Sequence, residues 1–258
     1  MLRVLMVSCL WLASNSLWAE AMTGLQVVEK AKQNGAGFED LTQEVKMILM
    51  DKKGDTTERD MLLKAMTDSN GKSYSMSIFT APKREKGIAL LTVNEADSDS
   101  KQYLYLPSSR RVKRITSSNS SSSFRGSDFT FEDLSEQRTE DYRFEMVKKA
   151  PCGELECYVV DRFPKEGLES SYSKTELWID STHYRPMKAM FYDKDGALLK
   201  TMETSGYTLY QDKFWNPKQI LMKNNQEGTS TEMQSIKTTI NSGLKASEFT
   251  ELAMRNFR

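Results

Sequence analysis

The chain has 258 residues, with 36 Lys+Arg against 36 Asp+Glu and a single histidine. Balanced charge argues against nonspecific nucleic-acid binding, which needs a basic excess, and one histidine excludes a multi-histidine metal centre. The length fits one large domain or two small ones, and no linker divides it, so residues 22–258 are read as a single domain.

The opening MLRVLMVSCLWLASNSLWAEA has one cation, Arg3, ahead of an apolar run over residues 4–13. Small residues then offer cleavage after Ala19 or Ala21, the layout of a secretory signal peptide. The run is well short of the ~20 residues that span a bilayer. Cys9 falls inside it, too early for a lipoprotein site. Residues 1–21 are therefore expected to be a removed signal, and the mature chain a soluble, exported protein without a lipid anchor.

A helix pattern follows in TGLQVVEKAKQN, with Leu25, Val28 and Ala31 on one stripe. Strand patterns then dominate. QEVKMILM alternates Val45, Met47 and Leu49; RDMLLKA alternates Met61, Leu63 and Ala65; KSYSMSIFT repeats the signal with Tyr74, Met76 and Ile78. GIALLTV and KQYLYL, the latter with Tyr103 and Tyr105, come at short spacing. The second half reads the same way in YRFEMV, ECYVVDRF, KTELWID, PMKAMFYD, ALLKTME, YTLY, KQILMKN and STEMQSIKTTI. Asp193 to Gly196 reads as a tight hairpin turn. ASEFTELAMRNF reads as a terminal helix, Ser247 its N-cap and Phe249, Leu252 and Ala253 facing inward.

About eleven strands in a meander predict a mainly β protein, one antiparallel sheet so wide that it curls on itself or splits into two layers. Such an interior leaves room for a ligand. Methionines at alternating positions (Met47, Met61, Met76, Met222) suit an adaptable apolar wall, although each singly reads as core filler. The expected wall is Val45, Met47, Leu49, Met61, Leu63, Tyr74, Met76, Ile78, Tyr103, Tyr105 and Met222.

Beyond the signal two cysteines remain, Cys152 and Cys157 in PCGELECYVV. In an oxidising compartment they read as a disulfide closing a turn; the C-x-x-C of a catalytic dithiol is absent. His183, in DSTHYRP, reads as a turn residue. Ser171 to Lys174 fits S-x-x-K and Ser117 to Asn119 fits S-x-N, a pairing known from penicillin-recognising serine enzymes. The nucleophile motif should open a helix, but here it runs into the strand KTELWID. No phosphate loop and no H-E-x-x-H is present. The chain is read as no enzyme, with no cofactor and no metal.

Four segments in order, KRI with a serine-rich gap and SFRGSDFTFEDL, then LWIDSTHYRPMKAMFYDKDGALLKT, FWNPKQILMKN and NSGLKASEFTELAM, resemble the outer-membrane lipoprotein-sorting proteins of the LolA-like superfamily, in a longer branch than LolA itself. The resemblance covers most of residues 22–258. It implies a strongly curved, incompletely closed half β-barrel with a few helices on its concave side, located in the periplasm. It also implies a lipid or lipoprotein acyl chain as ligand, transient membrane contact at most, and an RND-type (resistance-nodulation-division) membrane transporter as a further partner. Envelope-stress regulation and an adaptor role, both binding protein partners without lipid, are the alternatives.

Between residues 103 and 133 basicity, serine and phenylalanine crowd together. Arg110, Arg111, Lys113 and Arg114 follow a strand, residues 117–123 lack apolar periodicity, and Phe124, Arg125, Phe129 and Phe131 flank Gly126. One reading is a flap at a cavity mouth, its cations meeting anionic headgroups or an acidic partner and its phenylalanines covering the opening. The other is a loop whose phenylalanines complete the core.

Overall fold

The computed structural model describes residues 22–35, 38–95 and 98–257; the expected signal at residues 1–21 lies outside them. Helix α1 (Gly24–Gly35) precedes a meander of β1 (Asp40–Met50), β2 (Thr56–Thr67), β3 (Ser73–Ala81), β4 (Ala89–Glu95), β5 (Ser98–Leu106) and β6 (Arg111–Ile115). A long crossing segment, residues 116–141, contains the short α2 (Ser117–Ser120) and a final 3-10 turn. A second run holds β7 (Tyr142–Cys152), β8 (Leu155–Pro164), β9 (Lys174–Asp180), β10 (Pro186–Tyr192) and β11 (Leu198–Ser205). The small hairpin β12 (Thr208–Tyr210) and β13 (Phe214–Asn216) follows, then β14 (Gln219–Asn224), β15 (Thr229–Ile240) and α3 (Glu251–Asn256).

Among the described residues thirteen strands form one antiparallel sheet, in the order β6-β5-β4-β3-β2-β1-β15-β14-β11-β10-β9-β8-β7. Its ends, β6 and β7, do not pair, so the sheet curls without closing, an open half-barrel. The count exceeds the expected eleven. The basic RVKRI, expected only to follow a strand, is itself the edge strand β6, paired to β5 from Leu106↔Arg111 to Gln102↔Ile115. Cations on an edge strand discourage pairing with another chain.

Alternation sends successive residues to opposite faces, and the register shows which share one. Val45 opposes Met61, and Met61 opposes Phe79. With Met47, Leu90, Leu104 and Ile115 they form the inner apolar face. Met76 opposes Leu91, which opposes Tyr103; these lie on the outer face beneath Phe249 and Met254 of the C-terminal segment. Asp40 brings that segment across. Only 2% exposed, its carboxylate accepts from the Ser242 hydroxyl and backbone N–H (2.7 and 2.8 Å), Gly243 N (2.7 Å) and Leu244 N (3.1 Å).

The terminal helix differs from its sequence reading. Its N-cap is Thr250, whose Oγ1 accepts from Ala253 N at 3.1 Å, because residues 246–248 form a separate 3-10 turn. Met254 and Phe249 are buried, and Leu252 is exposed. In α1, Val27 rather than Leu25 leads the buried stripe. Gly24 lets that helix start against the sheet, since a Cβ there would stand 2.9 Å from Val160 Cγ1 and 3.0 Å from the Glu145 backbone. The turn at Asp193 forms as expected, Asp193 N donating to Ala197 O at 2.9 Å, with Gly196 at φ 81°.

Candidate functional site: an inner strap and the cleft beside it

Because β6 and β7 lie at opposite ends of the sheet, the chain between them has to cross the whole barrel. Residues 116–141 do so along the inner face, as a strap. Phe124 is fully buried, stacked on Phe79 (ring centroids 5.6 Å) and edge-on to Phe131 (5.9 Å). Both join Val45, Met47 and Met61 in one cluster. Phe129 enters a second cluster with Tyr172, Ala189, Phe191 and Met222. Of the two readings of these phenylalanines, their burial here fits the loop that completes the core. Within residues 117–123, which lack apolar periodicity, residues 117–120 form α2 and Phe131 N donates to Ser122 O.

Polar groups fasten the strap to the sheet. Gln102 Nε2 donates to Phe131 O (3.1 Å), and Asp128 accepts from Thr231 Oγ1 at 2.6 Å while its N–H donates to the same oxygen at 2.9 Å. Glu132 accepts from Ser170 Oγ (2.5 Å) and Ser171 N (2.7 Å). Asp133 takes the Lys200 ammonium at 2.5 Å and the Tyr172 hydroxyl at 2.7 Å; Lys200 and Tyr172 are buried, as is the Asp133 side chain. Burial, with Asp133 alongside, pushes the Tyr172 phenol far above the ordinary tyrosine range, so it stays a donor. Burial also pulls the Arg162 guanidinium below its usual value; it lies 4.6 Å from the Tyr142 ring centroid and donates to Thr175 Oγ1 (3.2 Å).

Beside the strap, at the end of the barrel carrying the β1–β2 and β14–β15 turns, opens a cleft of about 680 Å³. That size suits a small-molecule site, for which about 300–1,000 Å³ is usual. Leu49, Tyr172 and Leu199 give it apolar lining; Arg59, Arg84, Asp128, Lys200 and strap serines give it polar lining. It is therefore an amphiphilic cleft, in place of the unfilled greasy hollow expected from sequence.

The expected wall residues separate into three groups. Leu49 lines the cleft. Val45, Met47, Met61 and Met222 are buried under the strap, with Leu63 partly buried against them. Tyr74, Met76, Ile78, Tyr103 and Tyr105 lie on the opposite face, under the C-terminal segment, so one continuous wall does not exist. Arg110, Arg111, Lys113 and Arg114 are exposed on β6 and the turn before it. Arg125 is drawn inward instead, pairing with Glu85 at 3.0 Å.

Cys152 and Cys157 form a disulfide across the β7–β8 turn, Cα atoms 5.8 Å apart. Lys174 pairs with Asp161 (3.1 Å), while Ser171 contacts Glu132 through its N–H, so the S-x-x-K residues are engaged separately. The His183 ring packs on Trp215 at 5.0 Å. Sequence reasoning missed Arg59, Glu132, Asp133, Tyr172 and Lys200. A usable signal existed for two of them: Arg59 and Lys200 share the strand parity of inward Met61 and Met202, and a buried cation needs a reason.

An open antiparallel half-barrel with its inner face strapped by its own chain defines a LolA-like fold. A LolA superfamily protein from Nitrosomonas europaea shares it, with TM-score 0.69, 20% identity, and 89% of this chain and 98% of that one covered. A family model described as "Uncharacterized protein"-like matches residues 71–256, and the chain belongs to that family, DUF1329. A structure from Vibrio parahaemolyticus labelled an outer membrane lipoprotein-sorting protein domain is 34% identical, with TM-score 0.85 over 90% of this chain and 98% of that one. A DUF1329 family protein from Desulfovibrio piger is 24% identical, with TM-score 0.84 over 90% and 97% of the two chains. No curated protein matches the chain. Among the described residues no helix is long and apolar enough to cross a membrane.

Proposed function

We propose that this protein is a periplasmic carrier that shelters the acyl chain of a lipid or lipoprotein against the inner face of its half-barrel. The observation that carries the reading is the strap. The inner face is covered by a crossing segment that belongs to no sheet, with a cleft already open beside it. Displacing three buried phenylalanines (Phe124, Phe129, Phe131) costs about 5–9 kcal/mol at roughly 1.5–3 kcal/mol per side chain. Sheltering a chain of about sixteen carbons returns roughly 12 kcal/mol at ~0.8 kcal/mol per methylene. Exchange of cargo for strap is therefore downhill on the apolar account, and the polar fastenings set how readily it begins. The label of the Vibrio relative, lipoprotein sorting, supports the cargo class. The signal at residues 1–21 and a resistance-nodulation-division transporter as partner belong to the same proposal and rest on sequence and family resemblance.

Docking to an anionic surface falls to the β6 edge, where Arg110, Arg111, Lys113 and Arg114 are exposed with no ion pair among the described residues. Mass spectrometry of organic extracts of the purified protein tests the carrier directly, alongside uptake of a fluorescent fatty acid. A protein that yields no lipid and takes up no probe refutes it, and copurification with a protein partner alone then favours the regulatory or adaptor role. Replacing Arg110, Arg111, Lys113 and Arg114 with glutamine should abolish binding to anionic vesicles at low salt; unchanged binding removes the docking role.

A further inference from the structure

At one end of the cleft three arginines gather around a single carboxylate. Arg59, on β2, is 9% exposed, and its Nη1 donates to the Arg125 carbonyl at 2.7 Å while its Nε has no partner among the described residues. Arg125, on the strap, gives Nε and Nη2 to Glu85 Oε2 at 3.3 and 3.0 Å. Arg84 Nε stands 4.0 Å from Glu85 Oε1. Glu85 is itself buried, so one negative charge faces three positive ones in a partly dry place. Burial pulls the Arg59 guanidinium below its usual value; Glu85 opposes that pull and the neighbouring Arg125 and Arg84 reinforce it.

Arg59, Arg84 and Gly126, the residue after Arg125, all line the cleft. Its acids do not supply the missing charge. Asp51 accepts from Lys53 N and Asp55 N within its own turn (2.8 and 3.0 Å), and Asp128 is held by Thr229 and Thr231. Asp55 and Glu227 are exposed on the two turns at the mouth. An uncompensated buried cation is costly, and a guanidinium fork matches phosphate oxygens two at a time.

We propose that the Arg59–Arg84–Arg125 cluster is the seat of a phosphate group, and that the chain of a phosphate-bearing amphiphile runs from it past Leu49, Tyr172 and Leu199. The placement of the chain rests on the carrier reading; the seat does not. Calorimetry on the full chain with dioctanoyl phosphatidic acid, dioctanoylglycerol and inorganic phosphate separates the two. Phosphatidic acid should bind more tightly than dioctanoylglycerol. Arg59→Gln and Arg84→Gln should each weaken it about 10-fold to 100-fold, the worth of a lost charge-assisted hydrogen bond, and change dioctanoylglycerol binding less, so that the preference for phosphatidic acid falls. Arg59→Lys, which keeps charge without the fork, should fall between. Arg84 is a surface side chain, 70% exposed, so its variant tests the seat without disturbing the core. Inorganic phosphate binding that Arg84→Gln abolishes, with neither lipid bound, keeps the seat for free phosphate and removes the carrier reading. Phosphatidic acid bound equally by the parent and both glutamine variants overturns the seat, and no binding of any probe overturns both.

Discussion

Replacing Asp133 with asparagine probes how the strap is fastened. Asp133 and Lys200 are 4% and 3% exposed at the side chain and 2.5 Å apart. The ammonium has one further acceptor, Asp128 O at 3.2 Å, and the ring faces of Tyr172 and Phe191 at 5.2 and 5.4 Å. Asparagine keeps the shape and removes the charge, leaving Lys200 buried against a carbonyl and two rings. Breaking a buried pair in this way costs about 3–5 kcal/mol. For a chain of this size that lowers Tm by about 6–20 °C, at roughly 2–4 °C per kcal/mol. Lys200→Met is milder, about 1–3 kcal/mol, because Asp133 keeps the Thr130 N–H and the Tyr172 hydroxyl, both at 2.7 Å. The double variant should recover most of the asparagine loss, since an apolar replacement of a buried pair is often neutral. Urea unfolding followed by circular dichroism gives the three values, and limited proteolysis within residues 116–138 reports whether the strap has loosened. An Asp133→Asn loss under about 1 kcal/mol, or single losses that simply add in the double variant, would falsify the fastening argument.

Acid stability should follow Asp40 and Asp180. Burial alone raises both carboxyls, but donors from Ser242, Gly243 and Leu244 at Asp40, and from His183 and Arg185 at Asp180, outweigh it and hold both below the usual range. Their contribution is thus complete above the unfolded carboxyl pKa of about 4 and lost as pH falls through the folded values. Melting curves of Asp40→Asn should lack part of this acid limb; an unchanged limb contradicts the assignment. Reducing Cys152–Cys157, five residues apart, should cost about 2 kcal/mol by the short-loop entropy it restores, read as a lower urea midpoint. Gly24→Ala should cost about 1–3 kcal/mol through overpacking against Val160 and the β7 backbone, with early hydrogen exchange in α1 as the sign that this helix has lifted.

Much of the architecture was legible because strand alternation is a local signal, and most of the strands stand out in it. β6 was not, because an edge strand suppresses apolar character: only Val112 and Ile115 in RVKRI are apolar. Face assignment failed for a different reason. β4 and β5 are apolar on both sides, Leu90 and Leu104 inward, Ala89, Leu91, Tyr103 and Tyr105 outward, because helix α3 and Phe249 cover their back. Alternation separates two such faces without saying which is concave. The strap was hidden by its serines, and its anchoring depends on partners at long range, such as Asp133 with Lys200, that no local pattern joins.

The seam between β1 and β15 sits in the middle of the sheet, uniting the first and last strands of the chain. Each half-meander is built from neighbouring hairpins and can assemble promptly, whereas this seam spans nearly the full sequence and must form late. β1 therefore presents an unsatisfied backbone edge until β15 reaches it. Until then that edge is open to stray pairing with other strands.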